Sequence, residues 1–250
     1  MTTVAVLADP PVDGFVLPEL AAGPLDESEA SALYAAMLAD VCRAIEASGA
    51  DLLVNYRSAD NVPDGVDPEA AVSEVLDEAL DAPAEARYEV QVGSTFAARV
   101  GNTVTHLLER EQVTTAAAVE PTAGLLARQQ IDSAAMKLRS SDVVLGPGTD
   151  GRVYYAGFSA PIDFEEAYAT PAVETLVDRA ADAGMRVDFL PTVPTVETPA
   201  DLLTVVPWLR ARRRAERVVP PRTTTLVQEL GLRVRDGDDG PELVRQTDNS

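Results

Sequence analysis

The sequence predicts an α/β fold, a three-layer α/β/α arrangement around a mixed, mainly parallel central sheet. Two observations predict it. Short apolar runs of strand length alternate along the chain with longer segments of helical periodicity, the pattern of a largely parallel sheet covered on both faces. A chain of 250 residues, 46% of them apolar, also buries roughly 70–75% of the surface its unfolded form exposes, enough for a substantial core.

The elements follow in order. Val4 to Ala8 reads as a central strand, and the loop Asp9-Pro10-Pro11-Val12-Asp13-Gly14 after it stands where ligands bind in such sheets. Asp26 with Glu29 three residues on has the form of a capping box. Leu33, Met37, Val41 and Ile45 then recur at helical spacing until Gly49. Leu52 to Tyr56 is a buried-type strand, and Ser58 to Ala86 an acidic excursion with a helix from Pro68 to Leu80. Strands at Tyr88 to Val92, Val113 to Val119 and Asp142 to Gly146 enclose helices expected at Thr95 to Arg110 and Thr122 to Arg139. Arg152 to Phe158 is another strand, followed by a helix at Thr170 to Gly184 and a strand at Arg186 to Leu190. Thr198 caps a further helix, with Pro199 in its first turn and Asp201 three residues after the cap, and Pro207 is expected to interrupt it.

Residues 1–250 read as a single domain in which 205–250 is a more basic, helical C-terminal extension. Residues 1–200 hold 33 acids against 11 bases, whereas 201–250 hold 8 against 9. Arg210, Arg213, Arg214 and Arg217 are spaced to line one helical face. That stripe admits three readings: a solvated face, pairing with the acidic body or a second subunit, or an anion or partner site. Leu232 to Val244, centred on Asp236-Gly237-Asp238-Asp239-Gly240, has the form of a terminal hairpin.

Charge excludes several functions. With 41 acids against 20 bases the formal charge is -21, the wrong sign for an undirected binder of nucleic acid or anionic membrane. The predominance of acids, with Lys137 the only lysine, points to a salt-loving cytoplasm, where a Debye length of about 3 Å screens self-repulsion. Most carboxylates then read as solvated surface. Cys42 and His106 are the only residues of their kinds, which removes disulfide frameworks, cysteine-based zinc sites and multi-histidine centres. No apolar run approaches 18 residues and the N-terminus lacks a basic leader, so a cytoplasmic location is expected.

The stretch from Asp142 through Gly146-Pro147-Gly148-Thr149-Asp150-Gly151-Arg152-Val153-Tyr154-Tyr155 to Phe158 resembles the GT-A-type glycosyltransferase-like proteins whose hallmark reads DVVLGPxxDGGYYLxGL. These are relatives of the nucleotide-diphospho-sugar transferases. Thr198-Pro199-Ala200-Asp201-Leu202 is similar to the family's closing DxDTPxDL, and the loop from Pro11 to Gly14, with Leu20, to its N-terminal KxPxxGRVKTRL. The resemblance implies glycosyl or nucleotidyl transfer ancestry and Mg or Mn if the chain is active. It implies catalytic roles for Asp150 and Glu197; the metal ligands stay open, with Glu120 or Asp150 the position if there is one.

Several family positions are changed. Four bases of the opening loop fall at Asp9, Phe15, Leu17 and Glu19, and the metal-ligating Asp of the family's GxDxP falls at Val119 in Ala117-Ala118-Val119-Glu120-Pro121. In an extended segment Glu120 would point to the face opposite Val119. The second glycine after Asp150 is Arg152, which together with Tyr154 could substitute for the missing bases by forking to an anion and stacking a base. Arg99 lies in a stretch loosely similar to the family's QxxGDLGxR. The expected ligand site therefore gathers Asp9, Pro11, Gly14, Arg99, Glu120, Asp150, Gly151, Arg152 and Tyr154. Each has a plainer alternative: Asp-Gly favours turns, and Glu197 fits an acidic surface. The function expected is a transferase homologue with an eroded phosphate and metal site, taking a nucleotide sugar or other small molecule. The alternative is a non-catalytic binding relative or a component of a homo-oligomer.

Overall fold

A computed structural model of the chain describes residues 2–238 and 240–246. The strands of its main sheet are β1 (Thr2–Ala8), β2 (Asp51–Tyr56), β3 (Arg87–Val90), β4 (Thr115–Val119), β5 (Val143–Pro147), β6 (Val153–Phe158) and β7 (Val187–Phe189). They lie in the order β3-β2-β1-β4-β6-β5-β7. All neighbours pair parallel except β6, which runs antiparallel to both β4 and β5. β1 is buried along its whole length, as a strand covered on both faces requires.

Alternation of side chains across the strands divides the core in two. Val4, Val6 and Ala8 of β1 face one layer, made by α2 (Glu27–Glu46), α3 (Pro68–Asp77), α5 (Arg128–Lys137), α7 (Pro199–Arg214) and α8 (Pro221–Glu229). Ala5 and Leu7 face the other, made chiefly by α4 (Phe96–Thr105) and α6 (Ala172–Asp182). One further turn, α1 (Pro18–Ala21), follows the first loop. The expected capping box is present at α2, where the Asp26 carboxylate accepts the Glu29 N–H at 2.8 Å and Glu29 accepts that of Asp26 at 2.9 Å.

Three expectations need correction. The helix expected from Thr122 begins only at Arg128. In residues 122–127 the backbone turns instead, because Ala123, Leu125 and Leu126 are drawn into the core and the Thr122 carbonyl accepts the N–H of Val196 at 2.9 Å. Pro207 does not interrupt α7. It lies on the exposed side of the helix, between Val205, Val206 and Leu209, whose burial holds both halves to the core. The arginine stripe is cut short at Arg214. Glu216 takes φ 54°, and the N–H groups of Glu216 and Arg217 bond back to the carbonyls of Arg213 and Arg212 at 3.0 and 2.9 Å. This Schellman-type ending carries Arg217 off the helical face.

The terminal hairpin is formed by β8 (Leu232–Gly237) and β9 (Gly240–Arg245), paired antiparallel, with its tip residue Asp239 outside the described residues. No helix among the described residues is long and apolar enough to cross a membrane.

Candidate functional site

Parallel strands leave their C-terminal ends at one edge, and the loops after β1, β3 and β4 meet there around a cavity of 310 Å³. Asp9, the segment Phe15 to Glu19, Tyr34, Gln91, Arg99, Glu120 and Glu197 all line it. Asp9 is engaged within the protein: its N–H donates to the Tyr34 hydroxyl at 2.8 Å, and its carboxylate takes Arg57 in a two-pronged pair at 2.6 and 2.9 Å. Sequence reading missed Arg57. Its signal was positional, since it directly follows β2 and so emerges at the same edge.

Two buried polar atoms in this cavity lack partners. Gln91 is 5% exposed and donates from Nε2 to the carbonyls of Ala8 and Asn55 at 3.1 and 2.7 Å, yet its Oε1 accepts nothing. Arg99 is 9% exposed, and its Nε donates to nothing. Its guanidinium lies 5.7 Å from the centre of the Phe96 ring. Burial, and then the charge of Arg57, lower the Arg99 pKa. Because buried polar groups are ordinarily bonded, an acceptor and a cationic donor without partners, on two residues of one cavity wall, mark this cleft as the candidate site.

Glu120 and Val119 face different ways. Val119, the last residue of β4, packs in the core, while Glu120 directly after it lines the cavity. Burial, followed by the charge of Glu197, pushes its pKa up to about 8. A carboxyl protonated at neutral pH can donate a hydrogen bond or a proton.

Beside the cavity Arg152 is held by three carboxylates. It reaches Asp150 at 3.1 Å, Glu197 at 3.0 Å and Asp201 at 2.7 Å. Asp201 is 3% exposed and also accepts the N–H groups of Glu197 and Thr198 at 3.0 and 2.9 Å. Burial alone would raise the Asp201 pKa. The bonds from Arg152 and these amides outweigh it and leave the carboxyl below its ordinary value. Asp201 is therefore more than the third residue of a capped helix: it anchors the arginine that the sequence offered to an external anion. Asp150 is exposed and in a left-handed conformation at φ 54°. Gly151 needs no ligand to explain it, since φ is 73° and a Cβ there would lie 2.7 Å from that of Pro171.

Six expected ligand residues are not in the lining of the cavity: Asp150, Gly151 and Arg152, described above, and Pro11, Gly14 and Tyr154. Tyr154 is wholly buried and donates to the Pro191 carbonyl at 2.9 Å; Tyr155 is wholly buried too, so neither ring is open for stacking. Pro11 and Gly14 lie in turns closed by Val12 N–H to Pro10 and Phe15 N–H to Val12. The later residues Phe15 to Glu19 supply the wall instead.

The residues present do not fit a divalent cation such as Mg or Mn in the cleft. Such ions need several oxygens. Val119 supplies none, and Arg152 and Arg57 already occupy the carboxylates of Asp150, Glu197 and Asp9. Among the described residues the trio that brings ligand atoms within 4.8 Å of one another is Glu89, His106 and Glu111. There Arg87 bonds both carboxylates, at 2.5 and 2.8 Å, which leaves them little charge for a metal.

No protein-family model matches the chain, and no curated protein matches it by sequence. Its fold is similar to that of a candidate nucleotide-diphospho-sugar transferase from Desulfovibrio desulfuricans G20. That likeness has a TM-score of 0.74 and 18% identity over 91% of this chain and 94% of the other. A cytidylyltransferase from Leptospira borgpetersenii gives a TM-score of 0.48 and 10% identity over 91% and 94%. A CMP:2-keto-3-deoxy-manno-octonic acid synthetase complexed with CTP gives 0.47 and 11% over 86% and 99%. The first likeness shows the fold alone, and the other two are too distant to carry an argument.

Proposed function

We propose that this chain is a homologue of the nucleotide-diphospho-sugar transferases that has given up metal-dependent handling of a nucleotide diphosphate and binds a smaller molecule in the same cleft. The ligand carries an anionic or strongly accepting group for Arg99 and a donor for Gln91. The observation that carries this reading is the pair of unpartnered buried atoms, Gln91 Oε1 and Arg99 Nε, in one cavity. Its volume of 310 Å³ stands at the lower end of the roughly 300–1,000 Å³ typical of small-molecule sites. The loss of phosphate handling rests on neighbouring charges. Arg152 and Arg57 are neutralised internally, which leaves Arg99 as the unpaired cation in the cavity lining among the described residues. Removing two charge-assisted hydrogen bonds at about 1.5–3 kcal/mol each weakens phosphate binding by roughly two to four powers of ten.

Calorimetry tests this with two probe sets: nucleotide sugars with and without Mn, and small hydroxy acids and other small carboxylates without metal. Binding is expected from the second set only, and Arg99→Met should abolish it. A nucleotide sugar bound at low micromolar Kd and lost in Asp150→Ala would show that a transferase site has been rebuilt around Asp150 and Glu197.

A further inference from the structure

With twice as many acids as bases in the chain, an arginine without a carboxylate partner is the exception. In residues 1–200, eight of the eleven bases form salt bridges. At the C-terminal end of α7 the pattern reverses. Arg210, Arg213 and Arg214 form no ion pair among the described residues, and neither does Arg233 of β8, which with Arg214 acts on Arg210 as a repelling charge. Arg210, Arg213 and Arg214 line a concavity of 580 Å³ together with Gln228, Pro207 and Val234.

Cations are favoured in the last turn of a helix, but that does not account for the cluster. Arg212, in the same turn, shows what such an arginine does when a partner is near: it donates to the Val218 carbonyl at 3.1 and 2.9 Å and stacks 4.5 Å over Trp208. Its three neighbours have no such outlet among the described residues, and Arg233 comes from a strand, so its place in the cluster does not follow from a helix's preference for C-terminal cations.

We propose that this concavity binds a polyvalent phosphate, either inorganic or the phosphoanhydride chain of a small molecule, at a site separate from the cleft. Several guanidinium forks gathered around one hollow match the oxygens of successive phosphates. A polyvalent anion also relieves the repulsion among neighbouring like charges, which a monovalent ion does only in part. The Gln228 amide adds a neutral donor, and Pro207 and Val234 give the hollow an apolar wall.

Calorimetric titration with inorganic tripolyphosphate, at a salt concentration where circular dichroism shows the chain folded, is expected to give one site per chain. Paired substitution Arg213→Gln and Arg214→Gln should weaken binding about 100-fold, roughly tenfold for each charge-assisted hydrogen bond removed. Arg139→Gln, at an exposed arginine elsewhere, and Arg99→Met in the cleft should leave it unchanged, which separates this site from the cleft. A nucleoside triphosphate alongside tripolyphosphate distinguishes a small-molecule source from an inorganic one. Equal affinity in the paired variant, or citrate binding as tightly as tripolyphosphate, overturns the proposal. So does the absence of binding together with self-association that sedimentation detects in the wild type and not in the paired variant, since the arginines would then face the acidic surface of a second copy.

Discussion

The two ends of α7 treat arginine in opposite ways. At the first turn Arg152 meets Asp150, Glu197 and Asp201; over the last two turns Arg210, Arg213 and Arg214 line a hollow and meet no carboxylate among the described residues. Supply explains part of the contrast, since residues 201–250 hold 8 acids against 9 bases while the chain as a whole carries -21. What also differs is whether an acid is already fixed in place. Asp201 is held by the cap of α7 and by backbone amides, so an arginine joining it loses little additional freedom. Among the described residues no acid pairs with Arg210, Arg213 or Arg214, and exposed flexible pairs contribute only about 0–1 kcal/mol. Net charge sets the mean potential of the molecule. Preformed geometry decides which cations are neutralised.

Substitutions at the two ends should differ most in stability. Arg152→Met leaves Asp201 buried without its cation and should cost about 3 kcal/mol, whereas Arg213→Met should change stability by no more than about 0.5 kcal/mol. Urea unfolding measures both. Equal losses would break the contrast.

The next largest effect is on pH dependence, where Glu120 and Asp201 have opposite signs. Glu120 is raised to about 8 from about 4.3 when unfolded, so the folded chain keeps a proton that the unfolded chain releases. Its contribution is fully present below about pH 4.3 and is lost as pH rises to about 8. Glu120→Gln should flatten stability across that window and exceed the wild type above it. Asp201 is lowered; its contribution is present above its unfolded value and is lost as pH falls through the folded one. Thermal melts from pH 3 to 9 separate the two, and a Glu120→Gln variant that retains the wild-type slope would remove the cavity carboxyl from the account.

The smallest effect belongs to the unpaired cluster. Arg233→Gln should relieve its repulsion of Arg210 and raise stability by about 0.3 kcal/mol in dilute buffer, a gain that disappears near molar salt as the Debye length falls to about 3 Å. A gain that persists in salt would mean that Arg233 is strained by packing rather than by charge.

The frame of this molecule was legible because it is written locally. The β1 run, the Asp26 and Thr198 caps and the closing hairpin each depend on residues a few positions apart. The alternation of strands and helices was enough to imply a sheet covered on both faces. Local reading failed at residues 122–127, where helix-compatible residues are buried by tertiary packing, and at Pro207, where packing on both sides outweighs the break. The site was legible only in part. Asp9, Arg99, Glu120 and Glu197 do line one cavity, but the pairs that set its charge join residues 48 and 49 positions apart, Asp9 with Arg57 and Arg152 with Asp201. Spacing along the chain holds no information about such meetings.

Because α7 is a 16-residue helix of about 24 Å that begins beside the carboxylates of Glu197 and Asp201 and ends in arginines with no ion pair among the described residues, the molecule is an oriented charge as well as a net anion. In dilute salt a large polyanion would repel the body and turn the α7 C-terminus toward itself before the two touch. At molar ionic strength that torque fades within a few ångströms, so recognition at this end would change from being guided over distance to depending on chance collision.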